Sequence, residues 1–296
     1  MTSYQGNCHC GKVRFEVRLP SPLGTTFACQ CGVCAKIGSR WIFPADDQVK
    51  ITRGEDELVG YGSRGGEHCF CPVCGTAVLV KNHQTPSGET GVGVNARALL
   101  DVNPFELTVA DLPVPGKEIP MPSPSPIEPP SNPQAKTYSG SCHCGAITLT
   151  VTTPPFPHTP VKEDNCSICQ RNANTCIYPT TPQVLITGTE NATEYLFGRK
   201  FTGHRFCARC GVQVYMHLHG PPKALVVKLP AEKQEMIRRN LEIVPVRVNV
   251  LDGVEWGEVK VERSDEGTGV WMVIEYPNTH LNRQNDQNQK TPESRV

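Results

Sequence analysis

Cysteines stand in this chain in an order that is written twice, and few folds can satisfy such an order. The first set is Cys8-His9-Cys10-Gly11, Cys29-Gln30-Cys31-Gly32-Val33-Cys34 and Phe70-Cys71-Pro72-Val73-Cys74-Gly75. The second is Cys142-His143-Cys144-Gly145, Asp164-Asn165-Cys166-Ser167-Ile168-Cys169 and Phe206-Cys207-Ala208-Arg209-Cys210-Gly211. Spacing inside each cluster is kept, and the separation between copies barely drifts. That pattern marks an internal repeat of a metal-binding unit. One position breaks the match: Cys29 is answered by Asp164.

In each copy the outer pairs bring four thiolates from two tight loops far apart in sequence. They are Cys8, Cys10, Cys71 and Cys74, then Cys142, Cys144, Cys207 and Cys210. Four soft thiolates in a tetrahedral array are the preferred structural zinc set. Such a clamp contributes on the order of 10 kcal/mol to folding. A glycine follows each pair and suits a turn that aims backbone amides at the sulfurs. The competing reading is a disulfide scaffold. Tight Cys-x-Cys and Cys-x-x-Cys pairs suit one ion better than an unstrained bridge. No secretory leader is visible at Met1-Thr2-Ser3-Tyr4-Gln5-Gly6, so a reducing, cytoplasmic setting is expected.

The middle clusters differ. Cys29, Cys31 and Cys34 offer three thiolates without an obvious fourth partner. Three protein ligands and an open position are how a catalytic zinc is built. Such an ion takes a substrate thiol and holds it as a nucleophilic thiolate. Alternatively, His68 or Cys69 closes the site, and Cys69 also reads as a plain buried thiol. The second copy keeps Asp164, Cys166 and Cys169, a harder and less electron-rich set whose occupancy stays open. His68 and His204 match each other and read as ligands, substrate contacts or hydrogen-bonded structural histidines. Cys176 matches Trp41 and reads as core.

Length and charge narrow the rest. The 296 residues suffice for two domains, and 29 Lys plus Arg balance 29 Asp plus Glu. Zero net charge weighs against a nucleic-acid partner. No apolar run reaches the ~20 residues of a membrane span. Short alternating stretches such as Lys12–Leu19 and Ala146–Val151, separated by Gly and Pro turns, predict an all-β protein. A short helix over Ala231–Arg239 is expected in the second half only. The expected layout is one domain at 1–111, a stiff Pro-rich spacer at 112–137, a second domain at 138–280 and a disordered tail at 281–296.

Taken together, Cys-x-Cys-Gly, Cys-x-Cys-x-x-Cys followed by Lys36, and Phe-Cys-x-x-Cys-Gly resemble the glutathione-dependent formaldehyde-activating enzyme family, or CENP-V/GFA domain. Val248-Asn249-Val250-Leu251-Asp252-Gly253-Val254 and the looser Val94-Asn95-Ala96-Arg97-Ala98-Leu99-Leu100-Asp101 resemble its closing segment. The resemblance covers nearly all of both halves. It implies two tandem β-tent domains of short antiparallel sheets, each clamped by a structural zinc. It implies one or two further zincs in the middle clusters, with Cys29, Cys31 and Cys34 catalytic and glutathione as co-substrate. The implied reaction joins formaldehyde, or a related small electrophile, to glutathione, as a carbon–sulfur lyase run in reverse. One branch of that family is associated with chromosomes and the cytoskeleton. A non-catalytic, zinc-stabilised interaction module is therefore the competing expectation. No protein partner is legible.

Overall fold

Alternation along Arg14-Phe15-Glu16-Val17 drives Phe15 and Val17 into the interior while their neighbours face outward, the period of a half-buried strand. The same rule runs through a computed structural model of the chain, in which residues 1–112 and 134–264 are described. Of the expected Pro-rich spacer, 113–133 lie outside the described residues, as do 265–280 of the expected second domain and the whole expected tail.

The first half comprises β1 (Thr2–Asn7), β2 (Arg14–Leu19), β3 (Thr25–Cys29), α1 (Gly32–Ile37), β4 (Trp41–Ile42) and β5 (Val49–Arg53). It continues with β6 (Val59–Ser63), β7 (Gly66–Phe70), β8 (Ala77–Gln84), β9 (Thr90–Asn95) and β10 (Thr108–Leu112). The second half comprises β11 (Lys136–Ser141), β12 (Thr148–Thr153), β13 (Val161–Asp164), α2 (Ser167–Asn172), β14 (Thr175–Ile177) and β15 (Val184–Thr187). It closes with β16 (Ala192–Leu196), β17 (Thr202–Cys207), β18 (Gln213–Leu218), α3 (Lys223–Val226), α4 (Ala231–Asn240), β19 (Val246–Arg247) and β20 (Val261–Ser264).

Strand order is the same in both halves. A three-stranded sheet, β1-β2-β5 or β11-β12-β15, accompanies a seven-stranded one. The larger sheets run β10-β3-β4-β9-β8-β7-β6 and β20-β13-β14-β19-β18-β17-β16. The expected all-β fold of two zinc-clampable repeats is therefore present, with short strands and few helices. Pairing is antiparallel except where β10 joins β3 and β20 joins β13. The helix expected only in the second half is α4, placed between β18 and β19 where the first half has a hairpin. No described helix is long and apolar enough to cross a membrane.

The two halves face each other through reciprocal contacts. Lys36 on α1 donates to the Ser141 and Val250 carbonyls at 3.0 and 3.2 Å. Arg171, at the same repeat position on α2, donates to the carbonyl and side chain of Asn7 at 3.1 and 2.8 Å. Tyr61 meets His143 at 2.8 Å, and Tyr195 meets His9 at 2.9 Å. Asn249 donates to the Ala35 carbonyl, as Arg97 does to the Gln170 carbonyl. Gly75 and Gly211 lie at φ 69° and 72°, and a Cβ on either would stand within 2.7 Å of Phe206 or Phe70 across the seam. A buried ion pair, Arg97 to Glu163 at 3.2 Å, completes the contact.

Two predictions come from this packing. Arg171→Ala strips partners from buried acceptors and should lower the unfolding free energy by about 3 kcal/mol, read from a urea midpoint at constant slope. Burial lowers the His204 pKa to about 4, so between about pH 6.5 and 4 the unfolded chain holds a proton that the folded chain refuses. That stability is full above pH 6.5 and drains as pH falls toward 4. His204→Leu should remove up to ~1.4 kcal/mol per pH unit of this acid slope; an unaltered slope would refute the assignment.

Candidate metal centres

Turn geometry gathers the outer cysteines. Cys8 leads into a loop closed by the Gly11 amide on its carbonyl at 2.9 Å, and Cys71 into one closed by Gly75 at 2.8 Å. Sulfur–sulfur separations are 3.5 Å for Cys8–Cys10 and 3.6 Å for Cys10–Cys71. In the second half they are 3.6 Å for Cys142–Cys144 and 3.5 Å for Cys144–Cys207. Zinc–sulfur bonds of ~2.3 Å in a tetrahedron give an edge of about 3.8 Å, so both groups fit a zinc ion. Each group also receives a backbone amide, Val13 to Cys8 and Ile147 to Cys142, both at 3.3 Å. All fifteen cysteines are free thiols.

The first middle cluster has a fourth donor that differs from the expected arrangement. Cys29, Cys31 and Cys34 converge with His83, their ligand atoms all within 4.8 Å of one another. Neither His68 nor Cys69 completes that set. The reason is a register shift in the β8–β9 pairing between Val80 and His83, with Asn82 at φ 53°, which turns His83 inward. His83 Nδ1 lies 2.8 Å from the Gln84 carbonyl oxygen. With the proton on Nδ1, the Nε2 lone pair is free for a metal. His68 is buried, and its Nε2 lies 3.9 Å from Cys34 Sγ. Burial lowers its pKa to about 3, so its ring is neutral at physiological pH. Cys69 is buried and sits 3.8 Å from the Glu67 carbonyl.

Hydrogen bonds order the thiols. Trp41 Nε1 donates to Cys34 Sγ at 3.2 Å, and the Cys31 amide to Cys29 Sγ at 3.4 Å. Hydrogen bonds from Cys31 and Cys34 hold Cys29 far below the ordinary thiol range. Its proximity in turn pushes Cys31 up to about 12, while burial raises Cys34.

The second middle cluster keeps the frame but changes the donors. Asp164, Cys166 and Cys169 converge within 4.8 Å. The Cys166 amide donates to Asp164 Oδ1 at 3.2 Å, taking over the bond that Cys29 accepts in the first half. Cys176 replaces the Trp41 donor, and Asn174 Nδ2 stands 3.7 Å from Cys169 Sγ. His219, in register with His83, lies against Glu194 at 3.0 Å and forms a separate, more exposed group with Glu194 and His217. No histidine belongs to the converging set of this cluster among the described residues.

Beside Cys29 and Cys34 opens a cavity of about 400 Å³, walled by both halves. Ser39, Arg40 and Arg97 line it from the first half; Glu163, Asn249, Trp256 and Arg263 line it from the second. Neither His83 nor this cavity was legible in the sequence. The one signal for His83 was its recurrence as His219 in the repeat.

The sequence profile of the family described as glutathione-dependent formaldehyde-activating enzyme matches residues 3–106 and 137–243. A Halomonas elongata protein, provisionally named glutathione-dependent formaldehyde-activating enzyme, is 31% identical over 93 residues. That match covers 28% of this chain and 58% of the relative's length. A crystal structure of a Rhodobacter sphaeroides protein is 25% identical with a TM-score of 0.33, covering 43% of this chain and 99% of that one.

The donor change at Asp164 is directly testable. Asp164→Cys restores a third thiolate, so cobalt should bind the second middle cluster about tenfold tighter, with a stronger thiolate-to-cobalt absorption band. An unchanged band in the variant would show that Asp164 does not face the ion.

Proposed function

This chain belongs to the glutathione-dependent formaldehyde-activating enzyme family, and on that premise we propose that its first half is a zinc-dependent carbon–sulfur lyase and synthase. Its substrates are glutathione and formaldehyde or a related small electrophile. The observation that carries the reading is the buried convergence of Cys29, Cys31, Cys34 and His83, with Cys29 and Cys34 on the wall of a solvent-reaching cavity. Zinc held there would take a substrate thiol in place of His83, keeping the three thiolates and one exchangeable position, and would hold that thiol as thiolate at neutral pH. The chain's own groups prepare that chemistry. Gln84 fixes the His83 tautomer, Trp41 and the Cys31 amide support the sulfurs, and the surrounding apolar residues exclude water from them.

In the addition, the substrate S–H bond breaks, a C–S bond forms to the carbonyl carbon, and the carbonyl oxygen gains a proton. The step is redox-neutral and needs no further reactant. The carbonyl oxygen takes that proton from solvent at the mouth of the cavity, because His68, neutral down to about pH 3, is too weak a base to carry it. Two further zinc ions on the eight outer cysteines act as structural clamps. The second half, whose middle cluster has Asp164 in place of the Cys29 thiolate, serves architecture rather than turnover. A reducing compartment, the cytoplasm, suits a chain whose donor sets need free thiols.

Cys31→Ser tests the reading. Loss of a ligand should cost one zinc equivalent by elemental analysis and lower thiol–aldehyde exchange by about 100-fold or more, measured by magnetisation-exchange NMR. The β-sheet circular dichroism should persist because both clamps remain. Exchange at the wild-type rate in this variant would overturn the assignment.

A further inference from the structure

The cavity beside Cys29 and Cys34 holds more positive charge than its own pairing uses. Three guanidinium groups line it, from Arg40, Arg97 and Arg263, against one carboxylate, Glu163. Arg97 pairs with Glu163 at 3.2 Å and Arg263 approaches the same carboxylate at 3.5 Å. Arg40 makes no side-chain hydrogen bond or ion pair among the described residues, although it is half-buried. Burial lowers its pKa to about 10, which leaves it charged at neutral pH. Next to it the Ser39 hydroxyl is 4% exposed and has no hydrogen-bond partner, and Arg97 Nε is likewise buried and unsatisfied. Buried donors left in this state cost free energy until a ligand accepts from them.

Much of the cavity wall belongs to the other repeat. The parallel β13–β20 pair carries Glu163 and Arg263, and Trp256 sits on the turn before β20. Arg263 is held over the Phe105 ring of the first half at 4.9 Å. Asn249 reaches the wall because its amide is tied to the Ala35 carbonyl on α1.

We infer that this inter-repeat cavity is the binding site for the non-reacting part of the thiol substrate, and that it selects thiols bearing two carboxylates. The inference rests on the function proposed above. Arg40 and the Ser39 hydroxyl take one carboxylate, and Arg263 from the second half takes the other. Two guanidinium groups in excess over Glu163 match the two negative charges. The volume of about 400 Å³ is in the range of small-ligand sites and accommodates a tripeptide, with the thiol end toward Cys29 and Cys34. The second half is then a working part of the first half's substrate site, although its own middle cluster is altered.

The test separates pocket from chemistry. S-methylglutathione keeps both carboxylates but has no thiol to ionise, and its binding to the zinc-loaded full chain is measured by calorimetry. Binding to wild type is expected, weakened about tenfold or more by Arg40→Ala and by Arg263→Ala, and partly restored by Arg40→Lys. The KM for glutathione should rise in parallel, whereas exchange with 2-mercaptoethanol, which has no carboxylate, should keep its KM. Zinc content and circular dichroism must match wild type for a variant to count. Wild-type affinity in Arg263→Ala, or turnover of glutathione without any binding of S-methylglutathione, would overturn the pocket. Binding of S-methylglutathione with no thiol–aldehyde exchange would instead overturn the proposed reaction and leave the pocket standing.

Discussion

Four sulfurs gathered within 4.8 Å of one another, with pairs 3.5–3.6 Å apart, present an electrostatic problem that the rest of the fold is arranged around. Two thiolates at that distance repel by about 5 kcal/mol even at an effective dielectric constant of 20. As neutral thiols they are weak hydrogen-bonding partners packed where larger apolar groups would bury more surface. A divalent cation at their centre resolves the conflict, and the tetrahedral edge lengths fit one. With each clamp closed, the loop before β2 is tied to the loop after β7, and the loop before β12 to the loop after β17. In each repeat the three-stranded sheet, marginal alone, is then held to the seven-stranded one.

Clamping leaves one face of each repeat unfinished, and the other repeat completes it. Helices α1 and α2 are six residues each, too short to hold themselves in water. Each is docked by a cation that reaches a backbone carbonyl of the opposite half, Lys36 in one direction and Arg171 in the other. The middle clusters ride on those helices. Their geometry is therefore set by the seam as much as by the repeat that contributes the cysteines. A functional consequence is that the cavity beside Cys29 exists only when both halves are present.

Much of this was legible in the sequence because ligand spacing is local. Cys-x-Cys and Cys-x-x-Cys pairs announce their turns, the period-two runs announce strands, and Pro230 followed by an Ala-Glu-Lys-Gln run announces α4. His83 was not legible, since it belongs to no cysteine motif and points inward only because the strand shifts register at Asn82. The seam was not legible either. Lys36, Arg171, Asn7 and Ser141 are ordinary polar residues one at a time, and their meaning appears only when the two repeats are placed face to face.

The differences that bear on metal chemistry fall in the middle clusters. Cys29, Trp41 and the orientation of His83 distinguish the first middle cluster, and Asp164, Cys176 and a His219 directed to Glu194 stand in the second. The clamp cysteines, the glycines behind them and the tyrosine–histidine contacts across the seam are the same in both. Kept clamps beside an altered donor set fit the division of labour proposed above, in which the first repeat does the thiol chemistry and the second holds and walls that site.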